Sequence, residues 1–148
     1  MKITLKRLNQ AVRFRAFNED GNTVDIDGAA TIGGEGAGFR PMQLALTALA
    51  GCATMDVVTI LQKQRQRLDD ISIDISGERR EGTPSPFKRV HIHYDLYGEI
   101  DEAKARRAID LAVHTYCSVG EMIKSTAEIT ASFAINPSGS GPGREDQR

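Results

Sequence analysis

No tryptophan occurs in this chain, aromatic residues make up 5% of it, and only two cysteines are present. The shortage of rings leaves no platform on which nucleic-acid bases could stack. With 19 basic residues against 20 acidic ones, the net charge of −1 provides no field to draw the molecule onto nucleic acid or an anionic membrane. Two cysteines do not make the disulfide framework of a small secreted domain, and no Cys-x-x-Cys pair or Cys/His cluster of zinc spacing occurs. Neither a metal nor a cofactor is expected. The opening MKITLKRLNQ lacks the apolar run of a secretory signal, so a cytoplasmic protein with reduced thiols is expected.

What is present fits one soluble domain. A chain of 148 residues buries roughly two thirds of its unfolded surface, enough for a core without staples. The stretch ITLKRLNQAVRFRAF alternates at period two, NEDGN signals a turn and TVDID follows, which predicts a short antiparallel meander. GAATIGGEGAGF holds five glycines in twelve residues and is expected to be a mobile loop. Pro41 then opens a helix predicted to run to about Arg67. ISIDISGERRE and KRVHIHYDLYGEI predict two long strands separated by a proline-bearing turn. Asp101 caps a helix over EAKARRAIDLAVHTY, with Ala105, Ala108, Ile109, Ala112 and Tyr116 on its apolar face. The turn GEMIKST and the strand AEITASFAI complete an α+β domain over residues 1–136, and residues 137–148 are expected to be a disordered tail.

The helix after Pro41 contains the most apolar run, PMQLALTALAGCATMDVVTIL. Asp56 and three threonines interrupt it, so a buried core helix fits better than a membrane span. Its apolar residues lie nearly all round, which calls for cover on every side, from sheet and from a partner subunit. Gly51 sits mid-helix, where glycine costs about 1 kcal/mol against alanine, and implies a close approach by another backbone or a substrate. Cys52 follows it. Cys117 stands at a helix boundary, where free N–H groups can stabilise a thiolate. Each cysteine alone reads as inert core filler; together they read as a dithiol redox pair.

Pro41-Met42-Gln43-Leu44 with Ala48, Gly51 and Cys52, then Tyr116-Cys117-Ser118-Val119, resembles the OsmC/Ohr family of osmotically inducible and organic hydroperoxide resistance proteins. The cysteine eleven residues after the proline and the 65-residue interval between cysteines match that family's pattern, as does the order of elements. The resemblance implies an OsmC-like fold, with antiparallel sheets wrapped around a central apolar helix in an intertwined homodimer. It also implies a thiol peroxidase in which Cys52 attacks an organic hydroperoxide and becomes a sulfenic acid. Cys117 then closes a disulfide, and a dithiol reductant, such as a lipoyl group, reopens it.

Two family positions differ here. The family's glutamate is Met42, and in the efficient hydroperoxide reductases that glutamate holds an arginine at the reactive cysteine. The proline of the second motif is Ser118. Arg40 is a candidate replacement for the arginine, beside Arg13 and Arg15; for each taken singly a solvated surface charge is the stronger reading. Asp56 lies one helical turn after Cys52 and is expected to have a partner, either as a structural ion pair or as the organiser of an activating cation. Glu121, a turn past Cys117, is a candidate to orient a pocket cation. His114 is a candidate base, or an exposed helix residue. His91 and His93 share a strand face without a third metal ligand. The missing glutamate and proline favour an alternative, a non-catalytic dimer that binds a small apolar ligand in its interface pocket. The two retained cysteines favour the enzyme.

Overall fold

The computed structural model describes residues 1–138, whose contacts divide into two units, residues 1–45 and residues from 46 onward. The tail expected beyond residue 136 lies, from residue 139, outside the described residues.

In the first unit, β1 (Thr4–Arg7), β2 (Phe14–Phe17) and β3 (Thr23–Ile26) form the predicted meander, each strand antiparallel to the next. Asn18 closes the β2–β3 turn, its Oδ1 accepting from the N–H groups of Asp20 and Asn22 at 3.1 and 2.8 Å. Arg15 and Asp25 are register partners, with Nη2 of Arg15 donating to Oδ2 of Asp25 at 2.9 Å. That hydrogen bond, joined by one from Arg13, holds the Asp25 carboxyl down at about 2 against its desolvation.

The glycine-rich stretch is not a featureless loop. It folds around Asp27, whose side chain is 1% exposed and whose carboxylate accepts from the N–H groups of Gly28, Glu35 and Ala37 at 2.8, 2.9 and 3.1 Å. Gly34 permits this wrap, since a Cβ there would stand 2.1 Å from the Gly28 carbonyl oxygen. The hydrogen bond from Ala37 is the largest of the influences that hold the Asp27 carboxyl below the ordinary range, while burial opposes them.

Helix α1 (Pro41–Lys63) starts as predicted, with Pro41 in its first position. Arg40 has no acceptor to cap the helix, so Gln43 reaches back and its Oε1 takes the Arg40 N–H at 2.8 Å, which is half of a capping box. The helix ends at Lys63 rather than near Arg67. Arg65 takes a left-handed φ of 58°, and the N–H groups of Arg65 and Gln66 close back onto the carbonyls of Gln62 and Leu61 at 2.9 and 3.0 Å. This is a Schellman end built without glycine, so the sequence carries no stop signal there.

Only one stripe of α1, Leu49, Ala53, Val57 and Leu61, is buried, and Met55 on the far side is 72% exposed. By length and composition alone α1 would pass for a membrane span. Within the chain the cover expected on every side is present on one. Beneath it, Leu46 approaches Gly77 of the second sheet so closely that a Cβ at Gly77 would lie 3.1 Å from Leu46 Cδ2.

That sheet has the order β4-β5-β6. β4 (Arg67–Arg79) and β5 (Phe87–Glu99) are antiparallel, with residues 80–86, including the two prolines, outside the ladder. β6 (Glu128–Ile135) joins β5 in parallel, which departs from the all-antiparallel expectation. The cause is the connection: a helical crossover, not a hairpin, carries the chain from β5 to β6. Val90, Ile92, Tyr94 and Leu96 point inward and are buried. His91 and His93 face outward, hydrogen-bonded to Thr130 and Ser132 at 2.7 to 2.8 Å.

The crossover begins where Asp101 Oδ1 accepts the Lys104 N–H at 3.0 Å, the predicted cap of α2 (Glu102–Leu111). The helix does not continue in α form to Tyr116. Residues Ala112–Tyr116 form a π turn, closed by the Cys117 N–H on the Ala112 carbonyl at 3.0 Å. The wider turn shifts the inward face by one residue. Val113 and Cys117 are therefore buried, whereas Tyr116, predicted on the apolar face, is 56% exposed. Helix α3 (Ser118–Ile123) follows directly.

Asp27 generates an acid-sensitivity prediction. A carboxyl with a depressed folded-state pKa contributes stability that is complete above the unfolded value of about 3.9 and lost as pH falls through the lower folded value. Amide exchange at Glu35 and Ala37 is expected to stay slow at pH 5 and to accelerate below the usual carboxylate range. Asp27→Ala should remove that protection at every pH, as measured by hydrogen-exchange NMR.

Candidate active site

Two thiols from distant parts of the chain meet in the second unit. Cys52 lies on α1 and is half-buried; Cys117, between the π turn and α3, is 4% exposed. Cys117 is the N-cap of α3, and its Sγ accepts the Gly120 N–H at 3.2 Å. The same sulfur lies 4.0 Å from the Leu49 carbonyl on α1, which takes the thiol proton. The Cys52 thiol, three residues on from Leu49 along α1, is near enough to raise the Cys117 pKa. The structure thus brings together the two cysteines that the sequence singles out.

Their surroundings differ in kind. Burial pushes the Cys117 thiol up to about 11, the adjacent Cys52 adds to the rise, and the N–H groups of Gly120 and Val119 oppose it. Gly120 lets α3 close tightly on this sulfur, since a Cβ there would come within 3.5 Å of Sγ. Cys117 is therefore a protected, protonated thiol at neutral pH, while Cys52 is the one with access to the surface.

Two further side chains belong to this neighbourhood, and sequence reasoning missed both. Tyr94 of β5 is fully buried, and its hydroxyl has no hydrogen-bond partner. The Thr54 hydroxyl on α1 is also enclosed and unpartnered. Burial pushes the Tyr94 phenol up to about 12, and the neighbouring Thr54 hydroxyl opposes the rise. A signal existed in HIHYDLY, where Ile92, Tyr94 and Leu96 share the inward register and a hydroxyl is carried into the core with them.

The flank of α1 that Thr54 shares borders an apolar groove of about 680 Å³, lined by Ala50, Gly51, Met55, Val58, Ile73 and Ile75 among others. A Cβ at Gly51 would meet nothing within 4 Å, so the close approach expected at this glycine does not come from within the chain.

The remaining candidates have surroundings of their own. Asp56 is half-buried and makes no ion pair or hydrogen bond among the described residues; its retained contact with water removes the need for the expected partner. Glu121 is exposed and ion-paired with Lys124, so it faces solvent rather than a pocket. His114 is exposed and lines a separate cavity of about 640 Å³ between α2 and β6, with Arg106 and Asp110. Arg40 and Met42 belong to the first unit, where Arg40 is exposed and Met42 is half-buried in the first turn of α1. Arg13 and Arg15 are both engaged by Asp25. No metal-ligating cluster of three side chains occurs among the described residues.

A family model described as OsmC-like protein matches residues 34–132, which include both cysteines. The chain belongs to the OsmC-like family. Protein YhfA of Escherichia coli K12 is 38% identical to it over 96 residues, which cover 64% of this chain and 72% of that protein. A hypothetical protein from Aquifex aeolicus is similar in structure, with a TM-score of 0.76 at 29% identity, covering 92% of this chain and 97% of that one. The organic hydroperoxide resistance protein OsmC from Legionella pneumophila shares the fold, with a TM-score of 0.68 at 20% identity over 90% of this chain and 97% of its own. For this OsmC-like chain the α+β architecture read from the sequence therefore stands.

The asymmetry of the two thiols is open to measurement. Iodoacetamide at pH 8 is expected to modify Cys52 and to spare Cys117 in the folded protein, with Cys117 reacting progressively as pH climbs towards 10. Peptide mapping by mass spectrometry that found both thiols equally labelled at pH 8 would contradict the burial and the raised pKa of Cys117.

Proposed function

We propose that this protein is a thiol-dependent peroxidase that reduces organic hydroperoxides, with Cys52 as the attacking thiol and Cys117 as the resolving one. The observation that carries the reading is the meeting of two free thiols, one accessible and one protected, from separate helices in an apolar setting. Membership of the OsmC-like family supports it, and so does the fold shared with a hydroperoxide resistance protein.

The chemistry follows from the asymmetry. Cys52 as thiolate attacks the terminal oxygen of ROOH, the O–O bond breaks, and the products are a Cys52 sulfenic acid and an alkoxide that takes a proton from water and leaves as ROH. Cys117 stays protonated and out of the peroxide's reach until its neighbour carries a leaving hydroxyl. It then displaces that hydroxyl, giving a Cys52–Cys117 disulfide and water. An external dithiol, of lipoyl type or similar, reduces the disulfide by exchange. Apolar lining favours an alkyl peroxide over hydrogen peroxide. The setting proposed is cytoplasmic, where such a reductant is available.

The working unit proposed is a homodimer. The exposed apolar side of α1, with Met55 and the open space at Gly51, matches a surface that a second copy covers. A stable assembly of this kind buries more than about 2,000 Å² in total. Sedimentation should therefore show a dimer at micromolar concentration, and Met55→Glu should drive it towards monomer without unfolding the chain. A wild-type monomer would remove this assembly.

A second reading is favoured by the groove of about 680 Å³ beside α1 and by Met42 in place of the family's glutamate. In that reading the protein holds a small apolar ligand and performs no redox chemistry. One equivalent of cumene hydroperoxide separates the two. The peroxidase is expected to lose both free thiols and to gain one intrasubunit Cys52–Cys117 disulfide. Cys117→Ser should accumulate a dimedone-trappable Cys52 sulfenic acid, and Cys52→Ser should consume no peroxide. Survival of both thiols in excess peroxide would leave the binding reading in its place.

A further inference from the structure

The two histidines of β5 take no part in the thiol chemistry. They stand on the outer face of their sheet, whereas Val90, Ile92, Tyr94 and Leu96 point to the inner face, where Leu46 of α1 approaches Gly77. Each ring is nevertheless held at both of its nitrogens. His93 places Nε2 3.1 Å from Asp95 Oδ1 and Nδ1 2.7 Å from Ser132 Oγ. His91 places Nδ1 2.8 Å from Thr130 Oγ1 and Nε2 2.8 Å from the same Ser132 Oγ.

The partners decide which nitrogen of a neutral ring carries the proton. The Asp95 carboxylate only accepts, so His93 has its proton on Nε2 and a bare Nδ1. The Thr130 hydroxyl donates to the Val90 carbonyl at 3.4 Å, so it accepts from His91 Nδ1–H and leaves Nε2 bare. Two lone pairs therefore converge on one serine oxygen, which has a single proton to give. One of them goes without a donor. The point between the rings is short of one positive group.

The outer contacts are of the kind that metal sites use. A ligating imidazole turns its other N–H onto a carboxylate or a neutral acceptor, which fixes its tautomer and its direction. Asp95 does this for His93, and Thr130 does it for His91. The charge on this face also suits a cation. Asp74, the register partner of His93 on β4, adds a second carboxylate, and Arg89, two residues before His91, is ion-paired with Glu78 at 2.9 Å.

We propose that His91 Nε2 and His93 Nδ1 are a chelating pair for a divalent transition metal ion of the zinc type, held where Ser132 Oγ stands in the metal-free protein. A zinc–nitrogen bond of about 2.0 to 2.1 Å is shorter than either hydrogen bond, so the rings close in and the serine turns aside. No third imidazole, thiolate or carboxylate joins the pair among the described residues, so water completes the shell. Such a site suits an ion that exchanges with solution, and not one that holds the fold together. It lies on the face of the sheet away from α1, so the inference stands whether or not the protein is a peroxidase.

The first test needs no metal. Imidazole nitrogen–proton correlations by NMR should show His93 protonated on Nε2 and His91 on Nδ1, the less common tautomer of free histidine. A proton on Nε2 of neutral His91 overturns the proposal. These tautomers are read on unsubstituted histidines, so the result does not depend on any variant folding. The second test is calorimetric titration with zinc chloride at pH 7.5, in a Cys52→Ser background so that the accessible thiol does not compete. One equivalent should bind with a micromolar dissociation constant. His91→Gln and His93→Gln should each weaken binding at least about ten-fold, and so should Asp95→Ala, a positioning residue that touches no metal. Asp95→Ala should also leave His93 a mixture of both tautomers. Ser132→Ala, which empties the ion's place, should bind as tightly as its parent or more tightly. Absence of zinc uptake, uptake that survives both histidine substitutions, or loss of uptake in Ser132→Ala overturns the site, and unchanged affinity in Asp95→Ala overturns the positioning role.

Discussion

The site depends on one backbone hydrogen bond, the Cys117 N–H on the Ala112 carbonyl at 3.0 Å. It closes a turn of five residues instead of four and so moves the inward face of the helix on by one position. In an unbroken α-helix Tyr116 would take the inward place, and Cys117 would be carried round the side. With the π turn, the sulfur comes to the Leu49 carbonyl on α1 and near the Cys52 thiol. The same bend frees Cys117 to cap α3, which supplies the Gly120 N–H. π turns are rare and are found most often at functional sites, because they place one side chain at the expense of regular bonding.

From that placement the division of labour between the thiols follows. A sulfur sealed among Leu49, Val113 and Gly120 cannot ionise readily or meet a bulky peroxide. A half-buried sulfur on α1 is open to such a reagent. In the proposed cycle, a resolving thiol that stays protonated until needed would also keep the resting protein from over-oxidation, since the oxidation ladder is climbed by accessible thiolates.

Much of this was legible in the sequence. Pro41 and Asp101 mark helix starts because capping chemistry is local, and period-two alternation marks both long strands because their two faces meet different solvents. The two cysteines were legible through spacing and family resemblance. What escaped shares a physical character. The end of α1 rests on Arg65 in a left-handed conformation, the π turn on an extra residue in a regular apolar pattern, and β6 on a crossover that returns the chain in parallel. None of these has a residue type that announces it. The buried carboxylate was sought at Asp56, inside the apolar run, yet that side chain keeps its water. The enclosed one is Asp27, in a stretch whose glycines hid the three N–H groups that satisfy it.

The two departures from the family pattern weigh differently once their positions are known. Ser118 occupies the first position of α3, a place where proline is favoured because its φ is preset and no N–H is required of it. Serine tolerates that position, and α3 still begins there with Cys117 capping it, so Cys117 loses nothing in placement. Met42 is different in kind. It stands in the first turn of α1, where a carboxylate would favour the helix dipole and hold a cation, and methionine does neither. Arg40, one residue before the helix, is left exposed, with only its backbone N–H engaged by Gln43. The departure at 118 is absorbed by local backbone chemistry. The departure at 42 removes a charge that no backbone group can replace, so in the proposed peroxidase cycle any difference in rate from the family's efficient members would originate at the activation of Cys52 and not at its resolution by Cys117.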